Sequence, residues 1–183
     1  MRDKNKRKQL FGVATNDADY YVRPIINGKP VVCPYYQKWH SKHPTYTGCT
    51  VCDEWLIFSY FKSWMERQDW IGKELDKDIL AQGNGHYSPE TCLFVSHAIN
   101  SLLNDNKAKR GLYPVGVSFK KQNNKFQAYI KINGIKKHLG LFSTPELAYK
   151  AYKTAKYELI KQVALQQEEP LRSALLNYKI EGR

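Results

Sequence analysis

The sequence predicts an α+β chain built from two units, and three observations carry that reading. Residues 113–163 hold three strand-like segments, separated by Asn-Asn and Asn-Gly turns and followed by one long helical pattern. Residues 18–104 mix short apolar strands with an aromatic stripe at helical spacing. Between the two, the stretch Asn104 to Gly111 is polar and basic, as a linker is. The expected organisation is a basic arm over 1–17, a first unit over 18–104, a linker over 105–112, a second unit over 113–163 and a partly helical tail over 164–183.

In the first unit, residues 18–33 read as a hairpin: Tyr20-Tyr21-Val22 and Ile25-Ile26 lead into the turn pair Asn27-Gly28, then Val31-Val32. Pro34 can start a short helix carrying Tyr35, Tyr36 and Trp39. Asp53 is placed to cap a second helix, on which Trp55, Phe58, Phe61 and Met65 form a core-facing stripe. Lys62 interrupts that stripe and has to turn its charge outward along its own stem. Residues 74–80 alternate as a strand, 81–90 form a Gly-, Asn- and Pro-containing loop, and Leu93-Phe94-Val95 is a short apolar strand. Ser96 can cap a helix running through Asn100 to Leu103.

In the second unit the expected strands are Val115 to Lys121, Phe126 to Ile132 and Lys137 to Phe142, with turns at Asn123-Asn124 and Asn133-Gly134. Thr144-Pro145 starts a helix, with Ser143 and Glu146 at capping-box spacing. Leu147, Ala151, Ala155 and Leu159 recur every four residues, a stripe suited to lying on a sheet.

Charge is concentrated in one place. The chain has 183 residues and a formal net charge of +12. Residues 107–161 carry thirteen Lys/Arg against only Glu146 and Glu158, whereas residues 11–104 carry eight basic and ten acidic side chains. A block of that kind can release counterions from a polyanion. No apolar run approaches the length of a membrane span, and Met1 to Val13 lacks the apolar core of a signal peptide, so an intracellular protein is expected. No obligate protein partner is evident. With no export signal, Cys33, Cys49, Cys52 and Cys92 read as reduced thiols or as metal ligands. Cys49-Thr50-Val51-Cys52 has zinc-ligand spacing, which Cys33 or Cys92 could complete; free buried thiols are the other reading. Ile180 to Arg183 spell a protease-recognition tag and receive no functional weight.

The second unit resembles the DNA-binding domain of the ethylene-response-factor class over about 50 residues. The residues that carry the likeness are Gly116-Val117, Lys125 to Ile130, Asn133-Gly134, His138 to Phe142, Thr144-Pro145-Glu146 and Ala148 to Tyr152. The resemblance implies a three-stranded sheet lying in the major groove of double-stranded DNA, backed by one helix. Strand alternation agrees: Lys125, Gln127, Tyr129 and Lys131 share one face, and Phe126, Ala128 and Ile130 the other. Lys120, Lys121, Lys136 and His138 are expected to extend the first face. Gln127 can read adenine, while lysines serve phosphate or guanine. The family's readers are often arginines and this segment has none, so firm backbone affinity with modest sequence specificity is expected.

Leu75 to Asn100 resembles the HNH, or ββα-metal, nuclease motif found in phage homing endonucleases. The parts are the strand Leu75-Asp76-Lys77-Asp78-Ile79, the segment Ser88 to Ser96 and the helix ending at Asn100; Cys52-Asp53-Glu54-Trp55 adds to the likeness. The resemblance implies a metal-dependent DNA endonuclease in the cytoplasm of a bacterial host. Asp76 and Asn100 would hold magnesium or manganese, leaving positions for phosphate and water. Lys77 stands where the family has its histidine base, and Thr91 where it has its central Asn. Lys77 could bind the scissile phosphate while His86 or His97 acts as the base. The alternative is a non-catalytic, sequence-tolerant DNA-binding protein on a nuclease-derived fold.

Overall fold

A computed structural model describes residues 8–10, 13–41, 48–103, 112–132 and 134–180. The architecture is α+β, and the chain separates into two compact units, residues 1–95 and 96–183. Most of the expected linker, residues 104–111, lies outside the described residues, as does most of the basic arm.

In the first unit, β1 (Lys8–Leu10) pairs antiparallel with β2 (Ala14–Asn16). The hairpin joins β3 (Ile25–Ile26) to β4 (Lys29–Pro30). Its turn residues Asn27 and Gly28 have φ of 51° and 74°, the geometry whose twist matches the strands of a two-residue hairpin. The strand expected at Tyr20-Tyr21-Val22 does not form. Pro24 has no N–H to add to a ladder. The pairing therefore continues only as single bonds, from Val31 N to Pro24 O and from Cys33 N to Val22 O, each 2.8 Å.

Helix α1 (Pro34–Ser41) starts at its proline as expected and buries Tyr36 and Trp39. The Trp39 indole N–H donates to the Trp55 carbonyl at 2.6 Å. Asp53 does not cap a long helix; it opens a 3-10 turn, Asp53–Leu56, ahead of α2 (Phe58–Met65). The free amide of Ser59 in the first turn of α2 is taken instead by Asp17 Oδ1 at 2.9 Å. The aromatic stripe is core: Trp55, Phe58, Phe61, Trp64 and Met65 are buried with Tyr36, Trp39, Leu75, Tyr87 and Phe94. Lys62 reaches out of this face to pair with Glu66 at 3.3 Å, its ammonium 5.7 Å from the ring centres of both Tyr20 and Tyr35. Strand β6 (Lys73–Asp76) pairs with β8 (Leu93–Ser96), and β5 (Thr50–Val51) runs parallel to β7 (His86–Tyr87). The expected strand over 74–80 stops at Asp76, for a reason given below.

In the second unit, α3 (His97–Leu103) is capped by Ser96, whose Oγ accepts from Ile99 N at 3.3 Å. Three strands follow, β9 (Val117–Lys120), β10 (Lys125–Ile132) and β11 (Ile135–Phe142), in an antiparallel sheet of order β11-β10-β9. Helix α4 (Pro145–Ala164) packs on β10 and β11. Its cap is Thr144, not Ser143: Thr144 Oγ1 accepts from Leu147 N at 3.3 Å, with Pro145 in the first turn. The buried face of α4 is Ala148, Tyr152, Lys156, Ile160 and Ala164, one position on from the expected stripe, and Leu147 is 48% exposed. The Tyr152 ring sets that rotation by lying against Gly116, where even a Cβ would collide with it. Helix α5 (Leu171–Leu176) follows, and Ile180, the first residue of the tag-like stretch, is buried. No helix among the described residues is long and apolar enough to cross a membrane.

Candidate functional site

The sheet of the second unit presents an ordered face. Ala128 and Ile130 are buried, and Ala128 joins Val117 and Ala148 in the core with Phe126, Leu139 and Phe142 packed against it. Lys125, Gln127, Tyr129 and Lys131 therefore share the other face, as alternation predicted. Strand register extends them into rows. Lys125 stands opposite Lys120, Gln127 lies between Ser118 and Leu141, Tyr129 is opposite His138, and Lys131 is opposite Lys136.

A β-bulge completes this arrangement. The register of β10 on β11 slips between Ala128 and Tyr129, so that Leu139 is the extra residue. Leu139 turns into the core, and His138 and Lys136 arrive on the outer face in its place. An unbroken ladder would have put Leu139 opposite Tyr129 and Lys137 opposite Lys131. Lys121, expected on the same surface, is exposed in the 3-10 turn Lys121–Asn123 and lies outside the rows.

This face is electrostatically unfavourable in the free protein. Like charges directly across an antiparallel pair destabilise it, and two such lysine pairs sit at the two ends of one face. No Asp or Glu occurs between Asp105 and Glu146 to relieve them. The Lys136 ammonium lies 3.9 Å from the centre of the Tyr129 ring, a cation–π contact that offsets part of the cost.

In the first unit, the residues around Asp76 form a tied loop. Asp76 Oδ1 accepts from Asp78 N at 2.7 Å and Ile79 N at 3.0 Å, which folds the chain into a turn and ends β6. Lys77 Nζ donates to both Asp78 oxygens, at 2.7 and 2.8 Å, and to the Asn84 carbonyl at 2.8 Å. Its three N–H donors are thereby committed. Asn84 in turn donates from Nδ2 to the carbonyls of His86 at 2.6 Å and Lys77 at 3.4 Å, and its Oδ1 accepts from His86 N at 3.1 Å. Thr91 ties the far side: its hydroxyl donates to His86 O at 2.8 Å and accepts from Ser88 N at 3.1 Å.

These ties fix His86, whose Nδ1 lies 2.7 Å from Thr50 Oγ1. When Nδ1 donates to that hydroxyl, Nε2 carries the lone pair and can accept a proton; the opposite tautomer makes Nε2 a donor. Close by, a hydrogen bond from Ser88 holds the Glu90 carboxylate below its usual range, with its own backbone amide and His86 adding to the effect. His97 and Asn100 are carried by α3 in the second unit. His97 is exposed, with Nε2 3.2 Å from Ser101 Oγ, and Asn100 is half-buried.

All four cysteines are unbridged; Cys92 is buried in the aromatic core and Cys33, Cys49 and Cys52 pack against it. Burial pushes the Cys52 thiol above its ordinary pKa, with the carboxylates of Glu54 and Glu90 acting the same way against a lowering hydrogen bond from the Trp55 amide. Among the described residues, no three His, Cys, Asp or Glu side chains gather closely enough to hold a metal ion by themselves.

Four residues of these two regions escaped the sequence reading. Ser118 shares alternation with Lys120, so it was legible in principle; Leu141 needed the bulge. Asn84 looked like one more loop residue, and Thr91 like a departure from a motif rather than a tether. Comparison of the chain with protein-family models, curated proteins and solved structures finds no match.

Proposed function

We propose that this chain binds double-stranded DNA through the outer face of β9, β10 and β11. One observation carries the reading: that face holds the lysine pairs Lys120–Lys125 and Lys131–Lys136 with no acidic neighbour in the sequence from 106 to 145. A polyanion is the partner that turns this repulsion into binding energy. The geometry suits a duplex. Lys131 lies six positions along β10 from Lys125, about 20 Å of extended strand, while a major groove is about 12 Å wide. The two lysine rows would reach the phosphates on either side, and the uncharged row Ser118–Gln127–Leu141 would lie over base edges.

Fluorescence anisotropy with a duplex probe at several salt concentrations tests this. Replacing Lys125 and Lys131 together by Ser should flatten the slope of log K against log salt by about two units. Gln127→Ala should change sequence preference more than the slope. An unchanged slope in the double variant would mean that the DNA lies elsewhere.

A second reading, metal-dependent endonuclease activity of the HNH kind, has an observation of its own. One amide, that of Asn84, ties His86 to Lys77, so a histidine of fixed orientation and the Asp76-Lys77-Asp78 strand end flank the same loop. Asp76, whose Oδ1 is occupied by the turn, would offer its other oxygen to a magnesium or manganese ion, an ion that takes most of its ligands from water and phosphate. When bound, such an ion supplies charge stabilisation at the phosphate. His86, set by Thr50, would take the proton from the attacking water at Nε2. Lys77 would position the loop and not act as the base. Nicking of a supercoiled plasmid with magnesium or manganese tests it, with His86→Ala as the variant expected to lose activity while still binding DNA. Binding without cleavage under either metal leaves the chain a DNA-binding protein only.

A further inference from the structure

Helix α4 has a second surface, which meets the core at Tyr149 and is otherwise turned away from the sheet. Tyr149, Lys150, Lys153 and Tyr157 lie along one side of the helix and, with Pro114 and Glu146, line an open groove of about 620 Å³. The groove belongs wholly to the second unit, and its residues are not those of the outer sheet face. Two aromatic rings bracket it, eight residues apart, which is about 12 Å along a helix. The Lys153 ammonium sits 5.9 Å from the centre of the Tyr149 ring, and Tyr157 is 41% exposed. Tyr149 stacks on Tyr152 and packs against the core, so Tyr157 is the groove ring open to a base. Two lysines leading to an exposed tyrosine face are chemistry that holds single-stranded nucleic acid: the ring stacks on a base, and the cations follow the phosphates.

We propose that this groove binds single-stranded DNA, separately from the duplex held by the sheet. Charge chooses this occupant: two lysines face one carboxylate, and that carboxylate, Glu146, stands at the helix N-terminal end, leaving the stretch between the two tyrosines purely basic. Glu146 can accept from a cytosine amino group but repels phosphate, so the strand's backbone runs along the Lys150–Lys153 side. The proposal goes beyond the duplex reading and does not depend on it.

The test uses the full chain and a labelled twelve-nucleotide oligo(dT). Lys150→Ser with Lys153→Ser, and separately Tyr157→Leu, should each weaken oligo(dT) binding roughly tenfold or more. Duplex affinity should stay within about twofold in both, because neither variant touches the sheet face. Tyr157→Phe keeps the ring and should keep oligo(dT) affinity, which separates stacking from damage to the hydroxyl that accepts from Ile180 N. The sheet variant Lys125→Ser/Lys131→Ser should show the reverse pattern, losing duplex and keeping oligo(dT). The proposal is overturned if oligo(dT) does not bind, if it is lost with the sheet lysines and not with the groove lysines, or if polyglutamate of equal charge displaces it as well as unlabelled oligo(dT) does. Loss of duplex binding in the sheet variant alone, or its absence altogether, bears on the duplex reading and leaves the groove result standing.

Discussion

Lys77 and Asn84 hold each other across seven residues: the ammonium donates to the Asn84 carbonyl at 2.8 Å, and the Asn84 amide returns a longer bond to the Lys77 carbonyl at 3.4 Å. Lys77→Met therefore removes three charge-assisted bonds around a side chain that is only 12% exposed. We expect a loss of about 1–2 kcal/mol in urea unfolding, and faster amide exchange across residues 78–86. Lys73→Met is the control, since among the described residues its ammonium makes an i,i+4 surface pair with Asp69, and it should cost about 0.5 kcal/mol or less. Equal losses in the two variants would show that Lys77 is no clamp.

The outer sheet face should respond to substitution with opposite signs in stability and binding. Replacing Lys125 and Lys131 by Ser relieves both cross-strand repulsions, so the free protein should become more stable by a few tenths to about 1 kcal/mol. The same change should weaken duplex binding. Thermal melts at low salt and at 0.5 M salt distinguish the cause, because screening removes most of the difference between exposed charges. If the double variant is less stable at both salts, the lysines are structural and not held apart for a ligand.

The second unit was more legible than the first, and the reason lies in what local pattern encodes. Alternation from Lys125 to Ile132 assigned both faces of β10 correctly because a strand's period does not depend on its partner. Register does depend on it: the bulge at Leu139 left no local mark except Gly140, and the α4 face was misread by one position because Tyr152 answers to a distant glycine. In the first unit, Asp53 looked like a cap but was bypassed by Asp17, forty-two residues from the amide it satisfies. The Asp76 turn was hidden by a strand-like pattern over 74–80, since an Asx bond to the following amides is invisible to hydrophobic periodicity. The geometry of Lys77, which the sequence pattern presented as a candidate for chemistry, is that of a loop fastener.

Gly116 tests whether the fit of β9 against α4 organises the second unit. Its φ is 75°, which favours glycine, and a Cβ there would lie 2.6 Å from Tyr152 Cγ, in the rigid base of a buried ring. Gly116→Ala should destabilise this unit by about 3 kcal/mol or more, through strain and overpacking together. Pairing it with Tyr152→Leu should recover part of that loss, because the added methyl then meets a smaller side chain. Additive losses in the double variant would place the clash elsewhere.

Cys52 gives the first unit a defined weakness at alkaline pH. Burial raises its pKa above the ordinary thiol value, with Glu54 and Glu90 adding to the rise. The folded state then keeps a proton that the unfolded thiol releases above about pH 8.5. Between those two pKa values the folded state binds more protons, so stability is full below the unfolded value and falls as pH rises through the window. Cys52→Ala removes this contribution, and its melting temperature should fall less than that of the wild type between pH 8 and pH 10. Tyr87, also raised by burial, adds a further loss in both proteins only above about pH 10, and so does not blur the comparison. Parallel melting curves over pH 8–10 would mean that the folded Cys52 thiol ionises as freely as an unfolded one.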